Sequence, residues 1–184
     1  MPSRSTSTLN FMLLAKYGKR TITRPKRLKV IKQFVEEGGE LIMAGSWFTF
    51  AGGHGQSGWR KSPVADVLPV EILPENEREE TPEGAEIKVL KTGYFVIRDV
   101  PWEECFPYLG YNKVIFKDGT DPLTTIKPVD AEEADPLITV WEYGKEQVIA
   151  FTSDYCSYGG MNFMTWKYYP QFWSQIVKCL SKMI

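Results

Sequence analysis

The sequence predicts an α/β fold, and two neighbouring features near its start carry that prediction. A helix is expected over about residues 23–37, where the apolar residues recur on one face, and Gly38-Gly39 supplies its end. The unbroken apolar run at 41–44 (LIMA) follows directly and predicts a strand. A helix, a Gly-Gly turn and a fully apolar strand are typical of an α/β unit whose strand is parallel to its neighbours and covered on both faces.

The later elements are predicted from shorter apolar stretches and their turn residues. We expect a short helix at 62–67, strands at 69–73, 86–90 and 113–117, a hairpin of 137–143 with 147–152 that turns at 144–145, and a final helix at 168–183. Five glutamates between residues 75 and 83 predict an acidic, solvated loop. The sequence has no internal repeat, and its 184 residues suit one domain.

Composition excludes several classes of protein. A hydrophobic fraction of 43% with 14% aromatic residues is too high for a disordered chain. The three cysteines are too few and too scattered for a disulfide framework, and the sequence has no C-x-x-C pair that would suggest a zinc site. No apolar run approaches the roughly 20 residues that span a bilayer. These features predict a cytoplasmic protein without metal, cofactor or membrane association.

Charge is divided unevenly along the chain. The first 35 residues hold nine basic residues and no acid, whereas the remaining 149 hold 13 basic and 23 acidic residues. We interpret residues 1–19 as a basic leader, and the basic residues at 24–32 as the solvated face of the first helix. Few aromatic residues are interleaved with these charges, so the pattern does not favour nucleic-acid binding.

The candidate site follows the first predicted strand. The stretch 45–58 is rich in glycine and aromatic residues, and open α/β sheets place ligands beyond the carboxyl ends of their strands. It matches neither G-x-x-x-x-G-K-[ST] nor G-x-G-x-x-G. His54 is the only histidine and therefore the only candidate imidazole base. Ser46, in the turn after the strand, and Cys156, after a late strand, are the candidate nucleophiles.

Four stretches carry a resemblance to a known family: 27–45 (RLKVIKQFVEEGGELIMAG), 47–52 (WFTFAG), 63–70 (PVADVLPV) and 163–166 (FMTW). Residues from about 20 to 184 resemble a glutamine amidotransferase-like family of bacterial cytoplasmic proteins, distantly related to class I amidotransferases and ThuA-like proteins. The resemblance implies a flavodoxin-like, mostly parallel sheet with helices on both faces. It also implies that the first strand–helix units of that fold are missing, and that 20–184 form one incomplete domain.

True amidotransferases of this kind use a Cys–His–Glu triad, and the resemblance shows where its members would lie. The nucleophile position is the turn after 41–44, which here holds Gly45 and Ser46. The stretch 154–160, where the histidine and acid would lie, has no histidine. The resemblance therefore implies a chain without glutaminase chemistry.

We expect a non-catalytic or cryptic family member that binds a small polar molecule or a protein partner in the crevice between 45–58 and 154–160. The predicted ligand-binding residues are Gly45, Ser46, Trp47, Phe50, His54, Trp59, Asp154 and Tyr158. One alternative is a hydrolase that uses Ser46 or Cys156 with His54 as base. Another is a self-assembling structural subunit, a homo-oligomer held together by an exposed sheet edge.

Overall fold

The computed structural model describes residues 27–55, 57–75, 78–105, 107–144, 146–156 and 160–181. Their helices are α1 (Arg27–Glu36), α2 (Pro63–Val67), α3 (Met161–Thr165) and α4 (Tyr169–Leu180). Their strands are β1 (Leu41–Gly45), β2 (Val70–Ile72), β3 (Arg78–Glu80), β4 (Ala85–Val89), β5 (Gly110–Asn112), β6 (Val114–Phe116), β7 (Asp121–Pro128), β8 (Asp135–Tyr143) and β9 (Glu146–Asp154). The predicted leader at 1–19 lies outside these residues.

Strand β9 organises the main sheet. The strands follow the order β3-β5-β9-β8-β7-β4, and every neighbouring pair along this path is antiparallel. Strand β1 also pairs with β9, in parallel, from Leu41 opposite Val148 to Gly45 opposite Asp154. Strands β2 and β6 form a separate antiparallel pair. The sheet is therefore antiparallel except at β1.

The two faces of the sheet carry separate cores, because successive side chains of a strand point to opposite faces. Val148 and Ala150 of β9 lie in the α1 core, whose buried members are Val35, Met43, Phe50, Ala51, Val64, Val67, Leu68, Val70, Ile72, Val114, Val148 and Ala150. Ile149 and Phe151 lie in the α4 core, which includes Trp102, Tyr108, Phe163, Phe172 and Ile176. Helices α1 and α2 thus contact one face, and α3 and α4 the other.

The prediction of a flavodoxin-like, mostly parallel sheet is wrong. Among the described strands only β1 and β9 are parallel. The physical reason is loop length: β8 and β9 are joined by two residues, and β7 and β8 by residues 129–134. Parallel neighbours need a crossover of a dozen or more residues, so these connections allow only antiparallel pairing. The α/β signal at α1 and β1 was local and did not extend to the rest of the chain.

The local predictions of α1, β1, the β8–β9 hairpin and the final helix are confirmed over the described residues. The prediction of a solvated loop at 75–83 is wrong, because β3 lies within it and pairs with β5. Strand β7 was missed since Pro122 and Pro128 argue against a strand interior. A register shift between Pro122 and Thr124 accommodates the first of these prolines.

Among the described residues, no helix has the length and hydropathy needed to cross a membrane.

Two substitutions on α4 test where the core lies. Phe172 is fully buried and its ring contacts Trp102, Phe151 and Phe163, whereas Val177 on the same helix is 62% exposed. We expect Phe172→Ala to lower the free energy of unfolding by about 3–5 kcal/mol through the cavity it leaves. Val177→Ala, the matched control, should change it by less than about 0.5 kcal/mol. Urea denaturation measures both, and equal losses would contradict this assignment of the core.

Candidate functional site

The candidate site lies where β9 changes neighbours. Along its edge, β9 pairs with β1 up to Gly45, and at Ser153 it pairs with Tyr111 of β5. The register between β1 and β9 shifts at Gly45, where a Cβ atom would lie 2.0 Å from the carbonyl oxygen of Thr152. Only glycine allows this close approach. The chain leaves the sheet here, so the next side chains lie over the ends of β9 and β5.

Ser46 is held by contacts within the loop and to β5. Its backbone N–H donates to Asn112 Oδ1 at 3.0 Å. Its hydroxyl oxygen accepts the N–H of Phe48 at 3.1 Å and lies 3.3 Å from Thr49 Oγ1. These contacts are those of a serine that stabilises a turn.

A buried ion pair forms the floor of the site. Arg78 of β3 donates from Nη2 to Asp154 Oδ2 at 2.8 Å, and the two side chains are 3% and 1% exposed. Arg78 Nε also donates to Glu80 Oε1 at 2.9 Å, and Glu80 is exposed. Because removing two charges from water is costly, such a pair is favourable only with close geometry and further hydrogen bonds.

Trp47 lies over this ion pair. Its ring centroid is 5.4 Å from Cζ of Arg78, the arrangement of a cation–π contact. The loop also packs closely against this ring, because a Cβ atom on Gly53 would lie 2.3 Å from a ring atom. The His54 ring is 6.5 Å away, at a residue with φ of 58°. Trp47 is 40% exposed, whereas the side chains of Arg78 and Asp154 are almost fully buried.

Two buried hydrogen-bond donors belong to the paired residues Arg78 and Asn112. Asn112 is fully buried and stands opposite Arg78 in the pairing of β3 with β5. Asn112 Nδ2 and Arg78 Nη1 are both inaccessible to solvent and have no hydrogen-bond partner among the described residues. Buried donors are nearly always paired, so each of these atoms calls for an acceptor.

The structure brings some predicted site residues together. Gly45, Ser46, Trp47 and Asp154 gather at the ends of β1 and β9, and His54 contacts Trp47. Phe50 is fully buried in the α1 core. Trp59 donates from Nε1 to the Phe48 carbonyl at 2.7 Å, which ties the loop to itself.

Two further predicted site residues, Cys156 and Tyr158, lie in the stretch 154–160. Cys156 is half-buried, and its carbonyl accepts the N–H of Gly160. Tyr158 lies outside the described residues. Nothing in these positions tests a binding or catalytic role, so those roles stay predictions.

Sequence reasoning missed Arg78 and Asn112. Arg78 was hidden in the glutamate-rich stretch, and the three-residue β5 is too short to give a periodic pattern. The one available signal was an arginine amid five glutamates, an arrangement that suits an ion pair.

Other features of the surface lie apart from this site. One open cavity of about 430 Å³ is lined by Phe34, Glu37, Gly38, Gly39, Glu40, Leu180 and Ser181. Another of about 380 Å³ is lined by Arg60, Ala65, Asp66, Val70, Glu71, Ile72 and Lys117. Within the described residues, no group of three or more His, Cys, Asp or Glu is placed to hold a metal ion.

The buried ion pair gives a stability prediction. Arg78→Ala leaves the Asp154 carboxylate buried without its arginine, so we expect the free energy of unfolding to fall by about 3–5 kcal/mol. Lys91→Ala breaks an exposed ion pair with Asp121 and should cost at most about 1 kcal/mol. Chemical denaturation of both variants measures the difference. Similar losses would show that the Arg78 pair is not buried as described.

Thiol reactivity gives a second prediction. Burial raises the pKa of the Cys105 thiol to about 12, although a hydrogen bond with Tyr108 opposes the shift. Burial also raises the pKa of Cys179. Because the thiolate is the nucleophile, neither should react with iodoacetamide at pH 8 in the folded protein, and both should react in urea. Peptide mass spectrometry measures the modification, and rapid native labelling of Cys105 would contradict the structure.

Comparison with solved structures places the chain near two proteins of Salmonella typhimurium. It is 31% identical to Cytoplasmic Protein STM1381 of strain LT2. The match covers 85% of this chain and 61% of that protein, with a TM-score of 0.76. It is 29% identical to Cytoplasmic Protein STM3548. That match covers 91% of this chain and 65% of that protein, with a TM-score of 0.77. The chain therefore spans less than two thirds of the length of either protein.

A cold-adapted β-galactosidase of Rahnella sp. R3 shares the fold alone. Its identity is 17% and its TM-score 0.52, with coverage of 85% of this chain and 21% of that one. A search of curated proteins gave no match. The family described as "Putative glutamine amidotransferase" matches residues 6–182. Since that match covers nearly the whole sequence, this chain belongs to that glutamine amidotransferase-like family.

Proposed function

We propose that this chain is a non-catalytic family member that binds a small, uncharged polar ligand beneath Trp47, at the ends of β1 and β9. The observation that carries the proposal is the pair of buried donors, Asn112 Nδ2 and Arg78 Nη1, in one cluster with the Arg78–Asp154 ion pair. A ligand carbonyl or hydroxyl would supply the acceptor that both donors lack among the described residues. The ThuA-like relationship and a cytoplasmic location remain part of this proposal.

Charge selects the chemical class of the ligand. The buried charges of Arg78 and Asp154 offset each other, and Glu80 is exposed. In a site of low dielectric constant, a carboxylate or phosphate would place a second buried anion beside Asp154, which disfavours it. A neutral amide or hydroxyl accepts the two hydrogen bonds without that repulsion. The exposed faces of Trp47 and Phe48 then offer apolar contact to the rest of the molecule.

Access to the donors requires movement of Trp47, since its ring lies directly over Arg78. Gly53 packs against the ring, and its neighbours Gly52 and His54 have positive φ values. In this proposal Trp47 acts as a cover that the ligand displaces.

Two observations support a binding role over hydrolysis. The turn after β1 holds Gly45 and Ser46, where the family resemblance places a nucleophilic cysteine. The Ser46 hydroxyl accepts the N–H of Phe48 and so serves the loop. A hydrolase would need this hydroxyl to donate to a base, whereas the hydroxyl partner that the structure gives it is Thr49 Oγ1 at 3.3 Å.

Propionamide and propionate are suitable probes because they have almost the same shape and differ in charge. We expect propionamide to perturb the NMR amide signals of Ser46 and Trp47 at millimolar concentration, and propionate to do so less. Asn112→Asp keeps the acceptor for Ser46 N–H and removes the donor, so it should abolish the response to propionamide. Asn162→Asp introduces the same charge elsewhere and should leave the response unchanged. Tighter binding of propionate, or full binding to Asn112→Asp, would contradict the proposal.

A further inference from the structure

The guanidinium of Arg78 is held at two of its three nitrogen atoms. Nε donates to Glu80 Oε1 at 2.9 Å, and Nη2 donates to Asp154 Oδ2 at 2.8 Å. The Trp47 ring lies against the group, with its centroid 5.4 Å from Cζ. Because a guanidinium is planar and rigid, contacts that fix Nε and Nη2 also fix the third nitrogen, Nη1. The direction of the Nη1 donor is therefore set by everything that packs against the whole group.

Gly110, the first residue of β5, leaves the space that this group occupies. A Cβ atom at Gly110 would lie 2.9 Å from Arg78 Nη2 and 3.0 Å from the carbonyl oxygen of Glu79. Both separations are shorter than ordinary van der Waals contact, which for carbon begins at roughly 3.5 Å. Gly110 does not have a positive φ, so its backbone conformation is open to alanine as well. Close contact, and not backbone conformation, is therefore what favours glycine here.

The backbone of Gly110 is held from two sides. On β3, Glu80 stands opposite Gly110 in the pairing with β5. On β9, Ser153 donates from Oγ to the Gly110 carbonyl at 2.8 Å. The end of a long arginine side chain moves more easily than a strand that is bonded on both sides. A side chain at residue 110 would therefore displace the guanidinium of Arg78 and leave the strand in place.

We propose that Gly110 is a positioning residue of the candidate site. By having no side chain, it allows Arg78 to lie where Nη1 can donate to the same ligand as Asn112 Nδ2, since Arg78 and Asn112 stand opposite each other. This inference rests on the proposed function, which supplies the ligand. Gly110 acts only through Arg78, as a supporting residue behind the donors. Its replacement by alanine keeps both donors in the chain and changes only where one of them lies.

NMR of the full-length chain tests the proposal. In Gly110→Ala we expect the Arg78 Nε–Hε signal to shift, because the guanidinium moves away from Asp154. The propionamide concentration that gives half of the response at Ser46 should rise roughly tenfold, the effect of losing one hydrogen bond from a charged donor. Gly93→Ala is the matched control, because Gly93 has no positive φ and a Cβ atom there would meet no heavy atom within 4 Å. It should leave both measurements unchanged.

A second background shows whether the contact of residue 110 is with Arg78. Lysine is shorter than arginine, so Arg78→Lys removes the Nη2 atom that a Cβ at residue 110 would meet. We expect the loss of unfolding free energy caused by Gly110→Ala to be less than half as large in the Arg78→Lys background as in the wild type. If Gly110→Ala alone does not fold, the double variant should fold. An equal loss in both backgrounds, or an unfolded double variant, would assign the conflict to the Glu79 carbonyl and overturn the proposal.

The two NMR measurements separate this inference from the proposed function. An Arg78 signal that does not move in Gly110→Ala overturns the positioning role, whatever the response to propionamide. A moved signal with unchanged propionamide binding overturns it too, because the place of Nη1 would then not matter to the ligand. A wild-type protein that does not respond to propionamide contradicts the proposed function, whereas a moved signal still supports the positioning of Arg78 by Gly110.

Discussion

Strand β9 is the element on which the rest of the structure depends. It is the only described strand with three partners, since it binds β8 along one edge and shares the other between β1 and β5. Its side chains alternate between two cores, so Ile149 and Phe151 support α4 while Val148 and Ala150 support α1. The change of neighbour at Ser153 opens the sheet at one point, and the candidate site occupies that point.

The buried pair of Arg78 and Asp154 follows from this opening. Asp154 is the last residue of β9. Arg78 lies on β3, which is separated from β9 by β5 in the sheet. Replacing such pairs with apolar residues is often neutral or stabilising, so stability alone is a weak reason for a protein to hold one. Its position beside two further buried donors and beneath an exposed tryptophan is the basis of the proposal that the site recognises a polar ligand.

Sequence reasoning succeeded where the determinants are local. The periodic apolar face of α1, the LIMA run and the two-residue turn after Tyr143 each act over a few residues, and each predicted element is present. It failed where pairing decides the outcome. Whether the strands are parallel or antiparallel depends on the short connections between β7, β8 and β9. Strand β7 was missed because Pro122 argues against a strand, and a register shift next to Pro122 accommodates it. Half of the site was predicted from glycine and aromatic patterns, but Arg78 and Asn112 acquire their roles only through β3–β5 pairing.

A crystal structure of the protein soaked with propionamide tests the central claim most directly. The account predicts that Trp47 moves away from Arg78, and that the amide oxygen of the ligand lies within hydrogen-bond distance of Asn112 Nδ2 and Arg78 Nη1. Trp47 unmoved over Arg78 with no ligand density beneath it, while propionamide occupies another surface, would contradict the account.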